Sequence, residues 1–265
     1  MCELLGMNAN TPTDVMFSFA GLARRAQEHK DGFGIAFFEG RGLRYFVDHH
    51  SATASPVAKL VQQYPIKSDN VIAHIRKATQ GRVALENTHP FVRELWGRYW
   101  VFAHNGDLKE FAPTLHAAFR PVGDTDSEHA FCWLMQELAK AHADVPSVAE
   151  LSRTLSELLP AVAARGSFNM LLSNGQALWA HCSTRLAWIE RAHPFCAATL
   201  ADEDLTVDFA AQTAPTDRVV VVATEPMTRN ESWSVMAPGE LRVFASGAAV
   251  PAPGRPKRAA RGQTA

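Results

Sequence analysis

The order of its apolar patterns constrains the fold of this chain most strongly. β-rich runs come first, two long helical patterns fill the middle, and β-rich runs return. The early runs are ELLGM after Cys2, IAFF and LRYFV across the Glu39-Gly40-Arg41-Gly42 turn, VIAHIR, and YWVFAH. They are short, rich in Val, Ile, Phe and Tyr, and bounded by glycine or polar residues, as strands are. Residues 125–143 and 146–164 carry long apolar patterns with few breakers and read as helices. SFNMLLSN and QALWAHCS follow, joined by the hairpin signal Asn174-Gly175, and then RLAWIE, VVVVATE and LRVFA. Strict alternation of strand and helix would build a doubly wound parallel sheet. This order instead predicts an α+β fold of packed antiparallel sheets with helices outside. Shorter helices are expected after the capping pair Thr13-Asp14, through Val15, Met16, Phe19, Leu22, Ala23 and Ala26, and within SPVAKLVQQY. After Ser246 the composition collapses to Ala, Pro, Gly, Arg and Lys. The expected organisation is one ordered domain over 2–246 and a disordered basic tail over 247–265.

Composition excludes several classes of function. A net charge of -1 over 265 residues leaves no basic footprint for nucleic acid. No apolar run approaches the ~18 residues of a membrane span, and the first residues lack the basic start of a signal peptide. A cytoplasmic protein with no membrane partner is expected. Cys2, Cys132, Cys182 and Cys196 form no CxxC pair, so neither a zinc ribbon nor a thioredoxin motif is available. Cys132, Cys182 and Cys196 read as buried small hydrophobes. The 11 histidines are dispersed, and adjacent His49 and His50 on a strand would face opposite ways. No metal site and no phosphate-binding loop are indicated.

Four internal segments carry chemistry when read beside Cys2. In IAHIRKATQG, a strand delivers Arg76 into a polar stretch, and its guanidinium fork suits a carboxylate. In ENTHPF, His89 precedes a proline and by itself suggests only a structural hydrogen bond. In VFAHNGDLKEF, Asn105-Gly106 ends a strand and Leu108, Phe111, Ala112 and Leu115 recur at helical spacing, with Asp107 as a cap. An Asn amide and a backbone N–H there can form an oxyanion hole, and the glycine lets the backbone approach a ligand. In GDTDSEHAF, Thr125 and Glu128 fit a capping box, which leaves Asp126 free to accept from an ammonium group. A thiol, an oxyanion hole, a carboxylate clamp and an ammonium clamp suit an amide substrate that carries an α-amino acid group. If Met1 is removed, Cys2 gains its own α-amine, with an unperturbed pKa of ~7.7–8.0, as the base.

Together these stretches resemble the class II glutamine amidotransferases of the N-terminal-nucleophile hydrolase superfamily, and within them the stand-alone YafJ-type group. The matching segments are MCELLGMNAN, DGFGIAFF, IAHIRKAT, NTHPF, FAHNGDL, GDTDSEHAF and ATEPMTRNESW, which run from residue 1 to residue 233. The resemblance implies a four-layer αββα sandwich of two mostly antiparallel sheets. It implies Cys2 as nucleophile, Arg76 on the glutamine α-carboxylate, Asp126 on the α-ammonium, and Asn105 with Gly106 as the oxyanion hole. Thr79 would support Arg76 and His89 would wall the pocket. No cofactor is implied. Lys77 and Gln80 depart from the Trp and His that many members carry around this motif. Thr224 and Glu225 could face the site, but the sequence assigns them no role. The substrate would be glutamine, with ammonia passed to a separate synthase subunit. Alternatives are a free-standing hydrolase of γ-glutamyl peptides or amines, and a non-catalytic glutamine-binding regulator.

Overall fold

The computed structural model describes residues 2–25, 31–77, 81–211 and 213–251. Strand β1 (Glu3–Asp14) runs into helix α1 (Met16–Arg25), and the Asp14 carboxylate caps it by accepting from the Met16 N–H at 2.7 Å. Strands β2 (Phe33–Glu39) and β3 (Gly42–Asp48) form a hairpin, and α2 (Pro56–Gln63) leads to β4 (Lys67–Ile75). A second hairpin pairs β5 (Phe91–Leu95) with β6 (Arg98–Leu108). Helices α3 (Asp126–Ala141) and α4 (Val148–Ala163) follow, then β7 (Gly166–Ser173), β8 (Leu178–Cys182) and β9 (Ala187–Ala192). A small ribbon of β10 (Ala197–Thr199) and β11 (Thr206–Asp208) precedes β12 (Arg218–Ala223) and β13 (Ser234–Val235). The described chain closes on β14 (Glu240–Ala245) and β15 (Ala248–Val250).

These strands build two large antiparallel sheets. One has the order β13-β9-β12-β1-β4-β2-β3, and the other β15-β14-β8-β7-β6-β5. Side chains alternate across a strand, so each central strand feeds two layers of core. Leu5, Met7 and Ala9 of β1 pack beside Phe19 and Leu22 of α1 and Val61 of α2. Leu4 faces the other way, into a layer with Ile72, Val101, Ala103, Leu171 and Leu178 between the sheets. On the far side, Trp100, Phe102 and Phe168 pack beneath Phe131 and Leu134 of α3 and Leu155 of α4. Three apolar layers between four structural layers give the αββα sandwich. Burial on both faces explains why β1 and β12 read as continuous apolar runs. At Gly6 the sheets come so close that an added Cβ would lie 2.9 Å from Leu178 Cδ2.

Two expectations about elements are corrected here. No helix follows Asn105-Gly106: β6 continues to Leu108, opposite Gly166, and Lys109 N–H still donates to Arg165 O at 2.9 Å. The segment beyond it is irregular up to Thr125. The helical spacing there has another origin, because Leu108 joins the core beneath α3 and the Phe111 ring meets Trp133 edge-on at 5.9 Å. Pro113 also lacks the N–H that a helix would use. The second correction concerns the domain end. Ser246 and Gly247, at φ 51° and 72°, form a two-residue hairpin turn, and Ala248–Val250 pairs with β14. Gly247 N–H also donates to Asn8 Oδ1 at 2.8 Å, so the sandwich extends past residue 246. Residues 252–265 lie outside the described residues. No helix among the described residues is long and apolar enough to cross a membrane.

The inter-sheet layer sets a stability expectation. Leu171→Ala, at a fully buried position, should cost about 2–5 kcal/mol in urea unfolding. Val235→Ala, at a position 76% exposed, should stay within about 0.5 kcal/mol of wild type. Equal midpoints for the two variants would contradict the assigned layering.

Candidate active site

At one end of the sandwich the inter-sheet layer turns polar. The alternation that points Leu4 and Ile72 inward carries on to Cys2, His74 and Arg76. On the facing sheet Val101 and Ala103 are followed by Asn105. Strand β5 stops at Phe91, opposite Phe102, so the last residues of β6 have no strand partner on that side. The pocket occupies this gap, and Cys2, Arg76, His89, Gly106 and Asp126 line it.

The nucleophile candidate is held from several directions. Cys2 Sγ lies 3.2 Å from both the N–H and the carbonyl oxygen of Lys77. The Asn105 amide donates to the Cys2 carbonyl. Burial raises the Cys2 thiol pKa, opposed by the Lys77 N–H and by the charge of Arg76. The thiol is therefore protonated near neutrality, and an attacking thiolate needs a base. One residue further in, Thr224 fixes the strand. Its Oγ1 accepts from Leu4 N–H at 2.9 Å and its own N–H donates to Leu4 O at 3.2 Å. Arg25 secures the neighbouring side chain, reaching Glu3 Oε2 at 3.3 Å, Asp202 Oδ2 at 2.8 Å and the Pro226 carbonyl at 2.7 Å.

The clamp candidates come from loops that the motifs knit together. Arg76 is buried, and its guanidinium donates to the carbonyls of Arg82 at 3.0 Å and Gly81 at 3.5 Å. Burial lowers its pKa from the ordinary arginine value, against the charges of Cys2, Asp31 and Asp124. Asn87 ties these loops together: its amide donates to Arg82 O and Asp124 Oδ1, and its oxygen accepts from Asp124 N–H. The His89 ring packs tilted against His74 and Phe91, each at 4.4 Å between ring centroids. Gly34 admits this segment, because a Cβ there would lie 2.3 Å from the His89 carbonyl oxygen. Burial, with His74, His104 and Arg76 adding to it, pushes the His89 pKa well below its ordinary value and keeps the ring neutral. Neither ring nitrogen of His89 has a hydrogen-bond partner among the described residues.

The structure refines the other sequence assignments. Asp126 starts α3 but is not wholly free: it accepts from Leu108 N–H at 2.7 Å and Ser127 N–H at 2.8 Å. Only half of the capping box exists. Thr125 accepts from Glu128 N–H, but the Glu128 side chain turns to Arg93 and to the N–H groups of Val122 and Gly123. Gly106 is needed for a protein contact, because a Cβ there would meet Ser167 O at 1.8 Å. Thr79 lies outside the described residues. Cys132 and Cys182 are buried free thiols, whereas Cys196 is exposed on the loop after β9, not buried as expected. His49 and His50 sit on a bend beyond β3 rather than on a strand, and both approach Asp48 Oδ1, at 3.9 and 2.8 Å. The strand argument against a metal therefore does not apply to them. Asp48 is already engaged by His50 and Ser55.

Arg25, Asn87 and His104 were not picked out by motif reasoning, because each acts through a contact distant in sequence. Thr224 stood out as a polar residue closing a valine run, but without a role. The remainder of that stretch anchors a loop to β9 away from the pocket, through the Glu231 pair with Arg191 and the Trp233 bond to Thr228.

An αββα sandwich with a cysteine at the polar end of its inter-sheet layer defines an N-terminal-nucleophile hydrolase fold. The glutamine phosphoribosylpyrophosphate amidotransferase of Bacillus subtilis shares that fold, with a TM-score of 0.58 at 15% identity over 94% of this chain and 48% of its own. The family profile described as "Glutamine amidotransferases class-II" matches residues 1–264. "Putative glutamine amidotransferase YafJ" of Escherichia coli K12 is 53% identical over 251 residues, 93% of this chain and 98% of that protein. A Haemophilus influenzae relative described as "Putative glutamine amidotransferase" is 50% identical over 250 residues, 93% of this chain and 85% of its own. A crystal structure from Pseudomonas aeruginosa, described as a predicted glutamine amidotransferase, superposes with a TM-score of 0.76 at 43% identity, covering 94% of this chain and 99% of that one. The chain belongs to the class II glutamine amidotransferases.

The Thr224 contact gives the expectation for this region. Thr224→Val should cost about 1–3 kcal/mol by leaving the buried Leu4 N–H without its acceptor, and Thr224→Ser should recover most of that. Denaturant midpoints of the three proteins measure it, and a Val variant as stable as wild type would contradict the contact.

Proposed function

We propose that the protein releases ammonia from the side-chain amide of glutamine through a γ-glutamyl thioester on Cys2. The supporting observation is one pocket that brings the Cys2 thiol together with a buried guanidinium, Arg76, and a helix-start carboxylate, Asp126. The two charges suit the carboxylate and the ammonium of an amino acid, and the thiol suits its amide. Arg76 binds the α-carboxylate and Asp126 the α-ammonium, with His89 as the wall between them and Thr79 supporting Arg76.

In this reading Met1 is removed and the α-amine of Cys2 takes the thiol proton. Sulfur bonds to the amide carbon, and the tetrahedral oxyanion rests against the second N–H of the Asn105 amide and the Gly106 N–H. The amine then returns its proton to the leaving nitrogen, the C–N bond breaks and ammonia departs. Water, deprotonated by the same amine, cleaves the thioester to glutamate and free thiol. Asn105 serves twice, since an amide has two N–H donors and the first is spent on the Cys2 carbonyl. A separate acceptor subunit takes the ammonia.

Glutamate release from glutamine, γ-glutamyl peptides and γ-glutamyl amines tests the proposal. Cys2→Ala should abolish release, and Asn105→Ala should lower kcat by ~10²–10³. Intact mass should show loss of Met1. Activity retained in Cys2→Ala would overturn the mechanism, and strong preference for a conjugate would replace the ammonia acceptor by a hydrolase role.

A further inference from the structure

His104 and Ser127 line the same pocket but take no part in the reaction above. His104 precedes Asn105 on β6 and is 2% exposed. Its Nε2 lies 3.1 Å from the Ser167 carbonyl oxygen, and its Nδ1 lies 2.8 Å from Ser127 Oγ. A carbonyl oxygen only accepts, so Nε2 carries the proton and Nδ1 offers a lone pair. The Ser127 hydroxyl therefore donates to His104. It has one proton, which is then withheld from Asp126, whose Oδ1 lies 3.4 Å away. Asp126 is left with two main-chain donors, one per oxygen, and a carboxylate has about four acceptor sites.

We propose that His104 is a positioning residue that draws off the Ser127 proton and so keeps the Asp126 carboxylate open to the α-ammonium of the substrate. This inference rests on the role given to Asp126 above. The imidazole is well placed for it. The Phe168 ring lies 4.9 Å away, and a Cβ on Gly106 would come within 2.5 Å of Nε2, so the glycine makes room for the ring. Burial lowers the His104 pKa, with Asp126, the Ser167 carbonyl and Asp107 acting against it and His181 with it. The neutral ring is the form that can accept from Ser127. Without this acceptor the hydroxyl turns to Asp126 and occupies a site that the ammonium needs.

Two ligands that differ only at the α-carbon separate this role from a structural one: L-glutamate carries the ammonium and glutarate lacks it. Their dissociation constants are measured by ligand-observed NMR, which does not depend on turnover. Wild type should prefer glutamate. His104→Phe should shrink that preference about tenfold, the scale of a lost charge-assisted bond. His104→Gln, whose Oε1 can accept the hydroxyl proton, should keep most of it. Adding Ser127→Ala to His104→Phe removes the competing hydroxyl and should restore the preference. Thermal unfolding checks each variant, and His104→Leu replaces the Phe variant if that one does not fold. An unchanged preference in the apolar variants, or no recovery in the double variant, overturns the proposal. A wild type with no preference for glutamate overturns the role of Asp126 itself.

Discussion

The pocket depends on β1 being held along both edges up to its first residues. Glu3 sits opposite Ile75 of β4, and Leu5 sits opposite Ala223 of β12. Thr224 continues the second edge by bonding both polar groups of the Leu4 backbone. A chain end frays unless its backbone groups find partners. Here the pairing continues to the residue beside Cys2, and the Asn105 amide catches the Cys2 carbonyl from the facing sheet. The thiol is thereby placed at a fixed point between two sheets. On the proposed reading the nucleophile carries its own base and needs such placement, because the amine and the sulfur hang from one Cα and move together.

Much of this could be read from the sequence, for physical reasons. Central strands of a sandwich bury both faces, so LLGM and VVVVA are apolar throughout. The site appears where an inward position stops being apolar, from Ile72 to His74 and Arg76, or from Ala103 to Asn105. That change is visible in one dimension, and it made Arg76 and Asn105 stand out. The extent of elements was less visible. The apolar spacing through Leu108 and Phe111 imitates a helix, yet those side chains reach α3 from extended backbone. Ser246-Gly247 looked like the start of a tail because its turn is defined only once β14 and β15 pair. Arg25 and Asn87 could not be recognised locally, since Arg25 meets Glu3 and Pro226, 22 and 201 residues away, and Asn87 meets Asp124, 37 residues away.

Gly34 and Gly106 show the same limit from another side. Gly34 lies in a segment of the family resemblance and Gly106 in a stretch that suggested chemistry, and both are required by neighbouring backbone: the His89 carbonyl in one case and the Ser167 carbonyl in the other. Close packing of main chain around a pocket fixes its walls, so the missing side chain of such a residue serves the packing of the protein. A glycine in a motif is thus evidence for a close approach, while the identity of what approaches belongs to the three-dimensional fold.

The electrostatics of the pocket bear on what it can hold. Burying a guanidinium or a carboxylate costs several kcal/mol unless hydrogen bonds replace its water. Carbonyl oxygens of Gly81 and Arg82 serve Arg76, and main-chain N–H groups of Ser127 and Leu108 serve Asp126. These main-chain partners are neutral dipoles, and the charges of Asp31 and Asp124 also act on Arg76. A direct Arg76–Asp126 pair would have neutralised both groups and left little field for a ligand, and no such ion pair is present among the described residues. A zwitterion with a short arm to an amide meets both fields at once and reaches the thiol with the same arm. On the proposed reading, recognition and attack are therefore coupled, because the contacts that select the amino acid end also set where the amide falls.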